Sequence, residues 1–193
     1  MKKLLCILLS LAMILGGIFT LCSCSSEKDE SSSDSGNATG NATEATKSAI
    51  PDGYKKYDNG DISFVYPSDW KKTEGSITKI INPTGSGNNI TVVYEAKNTI
   101  YETAKEADLK SLFVESLGAT GMTVSNFKLT KTKNDNIKNI VKITYSASMN
   151  GVTMKQSLFI VTVGSKTYTV TVTETTPDTT LVNNVFNTLA VAK

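Results

Sequence analysis

Residues 50–193 predict an α+β domain in which one antiparallel sheet of about six or seven strands is flanked by two main helices. Three observations predict it. Short runs of alternating or continuous apolar residues are punctuated by Gly, Asn, Asp and Pro turns. An apolar stripe of helical period occurs twice, once in mid-chain and once at the end. Asn150-Gly151 between two strand-like runs is the signature of a type I′ hairpin.

Taken in order, the first strand follows the Asp58-Asn59-Gly60-Asp61 turn, where Ile62, Phe64 and Tyr66 alternate with Ser63 and Val65 up to Pro67. Ile77–Ile81 and Ile90–Tyr94 form two more, joined by the loop Asn82–Asn88. Within that loop Gly85-Ser86-Gly87 reads as a hairpin connection, because a phosphate-cradling loop would open a helix and this one leads into a strand. The mid-chain helix has a capping box in either Thr99 with Glu102 or Thr103 with Glu106. Its stripe is Leu109, Leu112, Phe113 and Leu117, and Gly118 stops it. Strands then return over about Met122–Lys133, about Ile137–Ser148, Val152–Val163 and Thr167–Thr175. In Leu158-Phe159-Ile160-Val161 alternation gives way to a continuous apolar run, which predicts a strand covered on both faces. Thr176 as N-cap and Pro177 at the first helical position begin the last helix, whose stripe is Leu181, Val182, Val185, Phe186 and Leu189.

Ahead of this domain the chain reads as a targeting region. Lys2 and Lys3 precede the apolar run Leu4–Leu21, a secretory signal pattern. Leu21-Cys22-Ser23-Cys24 resembles a bacterial lipobox, with an aliphatic residue three before, and a small residue directly before, the cysteine that is lipidated. Residues 1–23 are therefore expected to be a lipoprotein signal peptide and Cys24 the new N-terminus, carrying two or three acyl chains, palmitate among them, enough for firm anchoring. A plain secreted chain or an N-terminal membrane helix is the rival reading. Residues 24–49 continue as a linker of Ser, Thr, Asn, Gly and charges, with the tandem repeat Gly36-Asn37-Ala38-Thr39 and Gly40-Asn41-Ala42-Thr43. Such a coil spans about 25 to 30 Å.

Composition removes whole classes of chemistry. The chain has no His and no Arg, and its three Cys stand at positions 6, 22 and 24. The domain thus offers no thiol or imidazole nucleophile, no Cys/His zinc site, no Ser-His-Asp triad and no disulfide framework. Charge by segment is +2 for residues 1–24, −3 for 25–49 and +3 for 50–193, so the mature chain is neutral. No nucleic-acid partner is implied, and no cofactor or metal.

The stretch Gly60-Asp61-Ile62-Ser63-Phe64-Val65-Tyr66-Pro67-Ser68-Asp69-Trp70 resembles the opening of PsbP-like domains, where a strand ends in a Tyr-Pro step followed by Trp. The order of elements after it is similar too, including Gly164-Ser165-Lys166-Thr167-Tyr168-Thr169-Val170-Thr171 and a last helix, so that the resemblance spans about residues 53–192. It implies an α/β/α sandwich and an accessory role rather than catalysis, as in an envelope lipoprotein.

Candidate sites are few. Ser76-Ile77-Thr78-Lys79 matches the S-x-x-K of penicillin-recognising enzymes, but on a strand the two side chains point to opposite faces, so an acylating serine is not expected. Glu102 and Glu106 read as acids on the solvated face of the mid-chain helix, not as a glycosidase pair. Lys128, Lys131, Lys133, Lys138 and Lys142 concentrate charge on one hairpin, either to meet an anionic envelope polymer or lipid or to guard an edge strand. Thr167, Thr169, Thr171, Thr173 and Thr175 share one strand face and read as a half-buried β surface. Tyr66 and Trp70 line a ligand groove or else close the first hairpin as core residues.

The expected function is a non-enzymatic, lipid-anchored extracytoplasmic domain that binds or supports an envelope protein, glycan or lipid. The alternatives are a small-molecule or lipid carrier with a pocket between helix and sheet, and a hydrolase using Ser, Lys or carboxylates.

Overall fold

The computed structural model describes residues 50–192. The signal segment, Cys24 and the whole linker lie outside the described residues. In chain order the elements are β1 (Tyr54–Asp58), β2 (Ile62–Pro67), β3 (Lys71–Thr73), β4 (Thr78–Ile81), β5 (Asn89–Ala96), α1 (Ile100–Thr103) and α2 (Glu106–Gly118). They continue with β6 (Thr123–Thr132), β7 (Ile140–Met149), β8 (Val152–Val163), β9 (Lys166–Glu174), α3 (Thr179–Thr188) and β10 (Ala190–Val191). Seven strands form one antiparallel sheet in the order β3-β4-β5-β9-β8-β7-β6, and β1, β2 and β10 form a second of three.

The continuous run on β8 sorts its side chains by parity onto two cores. Phe159 and Val161 face Phe64 and Tyr66 of β2 and Leu181 and Val185 of α3. Leu158 and Ile160 face Leu109, Phe113 and Leu117 of α2. The strand is covered on both faces, as its composition predicts. Asn150 and Gly151 both take positive φ, 53° and 80°, as a type I′ turn requires, and Met149 pairs with Val152 across it.

Several boundaries differ from the sequence reading, each for a tertiary reason. The mid-chain helix is broken: Ala104 is extended, at φ −60° and ψ 147°, so α1 and α2 are separate. Neither capping box forms. The Asn98 side chain accepts from the Ile100 amide at 3.0 Å, and Lys105, with no side-chain cap, precedes α2. Glu106 instead accepts from the Leu129 amide of β6 at 2.9 Å, so a helix carboxylate satisfies a strand donor. Gly118 ends α2, but the left-handed residue is Gly121, at φ 84°, and the Met122 amide returns to the Leu117 carbonyl. The last helix starts two residues late because Asp178, not Thr176, caps it, accepting from the Leu181 amide at 2.9 Å. The Thr175 and Thr176 amides are already held by the Asn88 side chain. A Cβ on Gly87 beside this junction would meet the Thr175 hydroxyl at 2.8 Å, so that loop needs glycine for space as well as for its positive φ. β7 begins at Ile140 rather than Ile137, since Asn134 accepts from the Asn136 and Ile137 amides and turns that segment into a loop.

The threonine row is more buried than a half-exposed surface. Thr167, Thr169, Thr171 and Thr173 are all buried, and only Thr175, beyond the strand, is not. Next to it a polar chain crosses three strands: the Tyr145 hydroxyl donates to Gln156 Oε1 at 2.5 Å and Gln156 Nε2 donates to Thr173 Oγ1 at 3.4 Å. Burial pushes the Tyr145 phenol far above its ordinary value, so it stays a donor.

Candidate functional site

A groove lies beside α1, just before the break at Ala104. The Lys97 amide donates to the Ser165 carbonyl and the Asn98 amide to the Thr167 hydroxyl, which ties the segment before α1 to the β8–β9 turn. One turn of helix later the chain leaves for α2, which packs against β6. Between α1 and the end of the β6–β7 hairpin lies a groove of about 620 Å³. Its floor is Tyr101, Val141 and Ile160, and its far wall carries Lys131, Lys133 and Lys138. Glu102 stands on the α1 side, where it accepts from the Thr162 hydroxyl of β8 at 3.3 Å. Strand order places β8, whose Thr162 holds Glu102, and β6, which carries Lys131, on either side of β7, so these two strands are about 10 Å apart.

Three of the fifteen described lysines form ion pairs, and the groove lysines share the unpaired state of the other twelve. Lys56, Lys72 and Lys166 form ion pairs with Asp58, Glu74 and Asp61 at 2.5, 2.6 and 2.7 Å. Among the described residues Lys131, Lys133 and Lys138 pair with no carboxylate. Tyr101 is only 4% exposed. Burial, aided by the Glu95 carboxylate, pushes its phenol far above the ordinary value, so it is a donor at any physiological pH.

The five-lysine patch read from the sequence does not stay together. Lys128 and Lys142 sit opposite Thr144 and Thr130 and lie on the α3 side of the sheet, whereas Lys131 sits opposite the groove-lining Val141. Lys142 lies over the rings of Phe159 and Phe186, at 5.6 and 5.4 Å. Burial and the neighbouring Lys155 and Lys128 hold its ammonium below its ordinary value. Period-two alternation was the signal that could have divided the patch, because Lys128 and Lys131 differ in parity. Tyr66 and Trp70 are core residues, 4% and 5% exposed, and lie on neither concavity. Lys55 covers Tyr66 at 5.1 Å and donates to the Trp70 carbonyl at 3.2 Å. Ser76 precedes β4 while Lys79 lies in it, and no hydrogen bond joins them among the described residues. Glu102 and Glu106 share no helix face, since each belongs to a different helix and meets a different strand.

A second cleft of about 520 Å³ lies between the β1–β2 turn and the sheet, beside Asp58, Asp61, Tyr94, Lys166 and Tyr168. Its charges are satisfied internally. Asp61 accepts from Lys166 and from the Tyr168 hydroxyl, which hold its carboxyl below the ordinary 3.8. The cluster latches the small sheet to β9 and leaves no charge for a ligand. Among the described residues no group of three acids, Cys or His gathers as for a metal ion, and no helix is long and apolar enough to cross a membrane.

The PsbP family model matches residues 52–191. No curated protein matches the chain. Solved structures do, 21 chains in all. One, from Bacteroides thetaiotaomicron VPI-5482 at 1.50 Å resolution, is 20% identical with a TM-score of 0.49 and covers 73% of this chain. The match takes in 49% of that structure, so this chain spans about half its length. LpqN of Mycobacterium tuberculosis, described as involved in cell envelope biogenesis, is 14% identical with a TM-score of 0.36, the match covering 72% of this chain and 91% of LpqN.

Proposed function

The chain belongs to the PsbP family across residues 52–191, and on that premise we propose that it is a non-enzymatic binding or accessory domain, held on the outer side of the cell membrane by lipid on Cys24. The lipobox at Leu21-Cys22-Ser23-Cys24 and the polar linker behind it support the anchor. The single observation that supports binding is the groove between α1 and the β6–β7 hairpin: an apolar floor walled by three lysines with no carboxylate partner among the described residues. Its size is that of ordinary ligand sites. The lack of His, Cys and Arg in the domain, and the absence of a hydrogen bond between Ser76 and Lys79 among the described residues, support the non-enzymatic reading. A pocket bounded by a helix and the sheet also suits a carrier of small molecules or lipids, the second reading.

Two experiments test this. Mass spectrometry of the mature N-terminal peptide should find acylated Cys24, and an unmodified Cys24 in membrane fractions would contradict the anchor. A photo-crosslinking residue at Asn139, on the groove wall, should give in intact cells a discrete adduct with an envelope component that the same residue at Val152, exposed and remote, does not give. Equal adducts at both positions would contradict the groove as the binding site. A small-molecule adduct in place of a macromolecule would select the carrier.

A further inference from the structure

We infer that the groove takes an amphiphilic anion, an alkyl-chain phosphate or carboxylate, with its acidic head on Lys131, Lys133 and Lys138 and its apolar part on Val141, Ile160 and the Tyr101 ring. This rests on the groove being the binding site and adds what it selects. Three ammonium groups that lack a carboxylate partner leave positive charge on one wall. Glu102 is a repulsive element and sets the orientation: it holds the α1 side, engaged by Thr162, so an anion is favoured only against the β6 side. The floor between the two walls is apolar and belongs to strands paired in register, Val141 opposite Ile160, so it is preformed. A lone inorganic anion would use the lysines and leave that floor wet. A neutral alkyl compound would use the floor and leave the lysines unmatched.

The test uses the full chain in neutral maltoside micelles, methyl-labelled at Ile and Val, with four probes: hexyl phosphate, hexanol, glycerol phosphate and inorganic phosphate. Hexyl phosphate should shift the Val141 and Ile160 methyls but not those of Ile62 and Val185 on the opposite face, with affinity at least about tenfold above each other probe. Lys131→Gln/Lys133→Gln/Lys138→Gln should weaken it at least about tenfold. Glycerol phosphate or inorganic phosphate binding as tightly as hexyl phosphate would overturn the amphiphile in favour of a bare phosphate, free or on a polymer. Hexanol binding equally well at the same methyls, unaffected in the lysine variant, would overturn the anion while leaving the groove a binding site. Absence of any methyl shift, together with equal adducts from Asn139 and Val152, would overturn both.

Discussion

The two faces of the seven-stranded sheet are closed in different ways. On one, the small sheet and α3 come from the two ends of the domain and interlock, with Tyr57 stacked on Phe64 at 4.7 Å and Phe159 against Phe186 at 5.4 Å. On the other, a single local excursion between β5 and β6 supplies the cover. Its α2 half is well packed, with Phe113 edge-on to both Phe127 and Tyr145 at 5.2 Å. Its α1 half is one turn long and leaves the groove beside it. Each face keeps a cleft, but the one beside the β1–β2 turn is crossed by the Asp61–Lys166 ion pair, whereas the one beside α1 is lined by three lysines with no carboxylate partner among the described residues.

This contrast can be broken from either side. The largest effect should come from Phe159→Ala, which removes a fully buried ring under α3 and should cost about 3–5 kcal/mol in chemical denaturation while leaving groove binding intact in the folded fraction. Tyr145→Phe on the groove side strands the buried Gln156 Oε1 and should cost about 1–3 kcal/mol. Asp178→Ala removes the α3 cap and should cost about 1 kcal/mol, with Asn in its place restoring most of it. The groove lysines should behave oppositely to all of these, changing binding while stability stays within about 0.5 kcal/mol.

The smallest effect is a pH dependence. Lys166 and Tyr168 hold the Asp61 carboxyl below 3.8 in the folded state, so their contribution is present above that value and is lost as pH falls through the folded pKa. The same contact raises Lys166 above 10.5, a contribution present below that value and lost as pH rises through the folded one. The Tm difference between the parent and Asp61→Asn should therefore shrink between pH 5 and pH 2. A difference that stays constant over that range would remove Asp61 from the latch.

Much of the architecture is legible in the amino acids alone. The Asn150-Gly151 turn, the doubly covered run Leu158–Val161 and the stripe of α3 are all local patterns, and the fold honours them. What is not legible depends on partners distant in sequence. No Pro or Gly marks the break at Ala104, which goes with Glu106 satisfying Leu129 and Asn98 capping α1. β1 and β3 are short and polar, with one buried residue between them, so they carry no strand signal of their own and exist by pairing with β2 and β4. The groove was half legible: its lysines stood out and alternation separates Lys128 from Lys131, but that Lys131, Lys133 and Lys138 face α1 across a groove depends on the fold.

A ligand in the groove beside α1 should be felt on that face of the sheet and not on the face covered by β2 and α3. Hydrogen exchange of the full chain with and without hexyl phosphate reads both at once. Protection should rise in 98–103, 131–141 and 160–162 and stay unchanged in β2 and α3. Equal protection on both faces, or protection confined to β2 and α3, would contradict it.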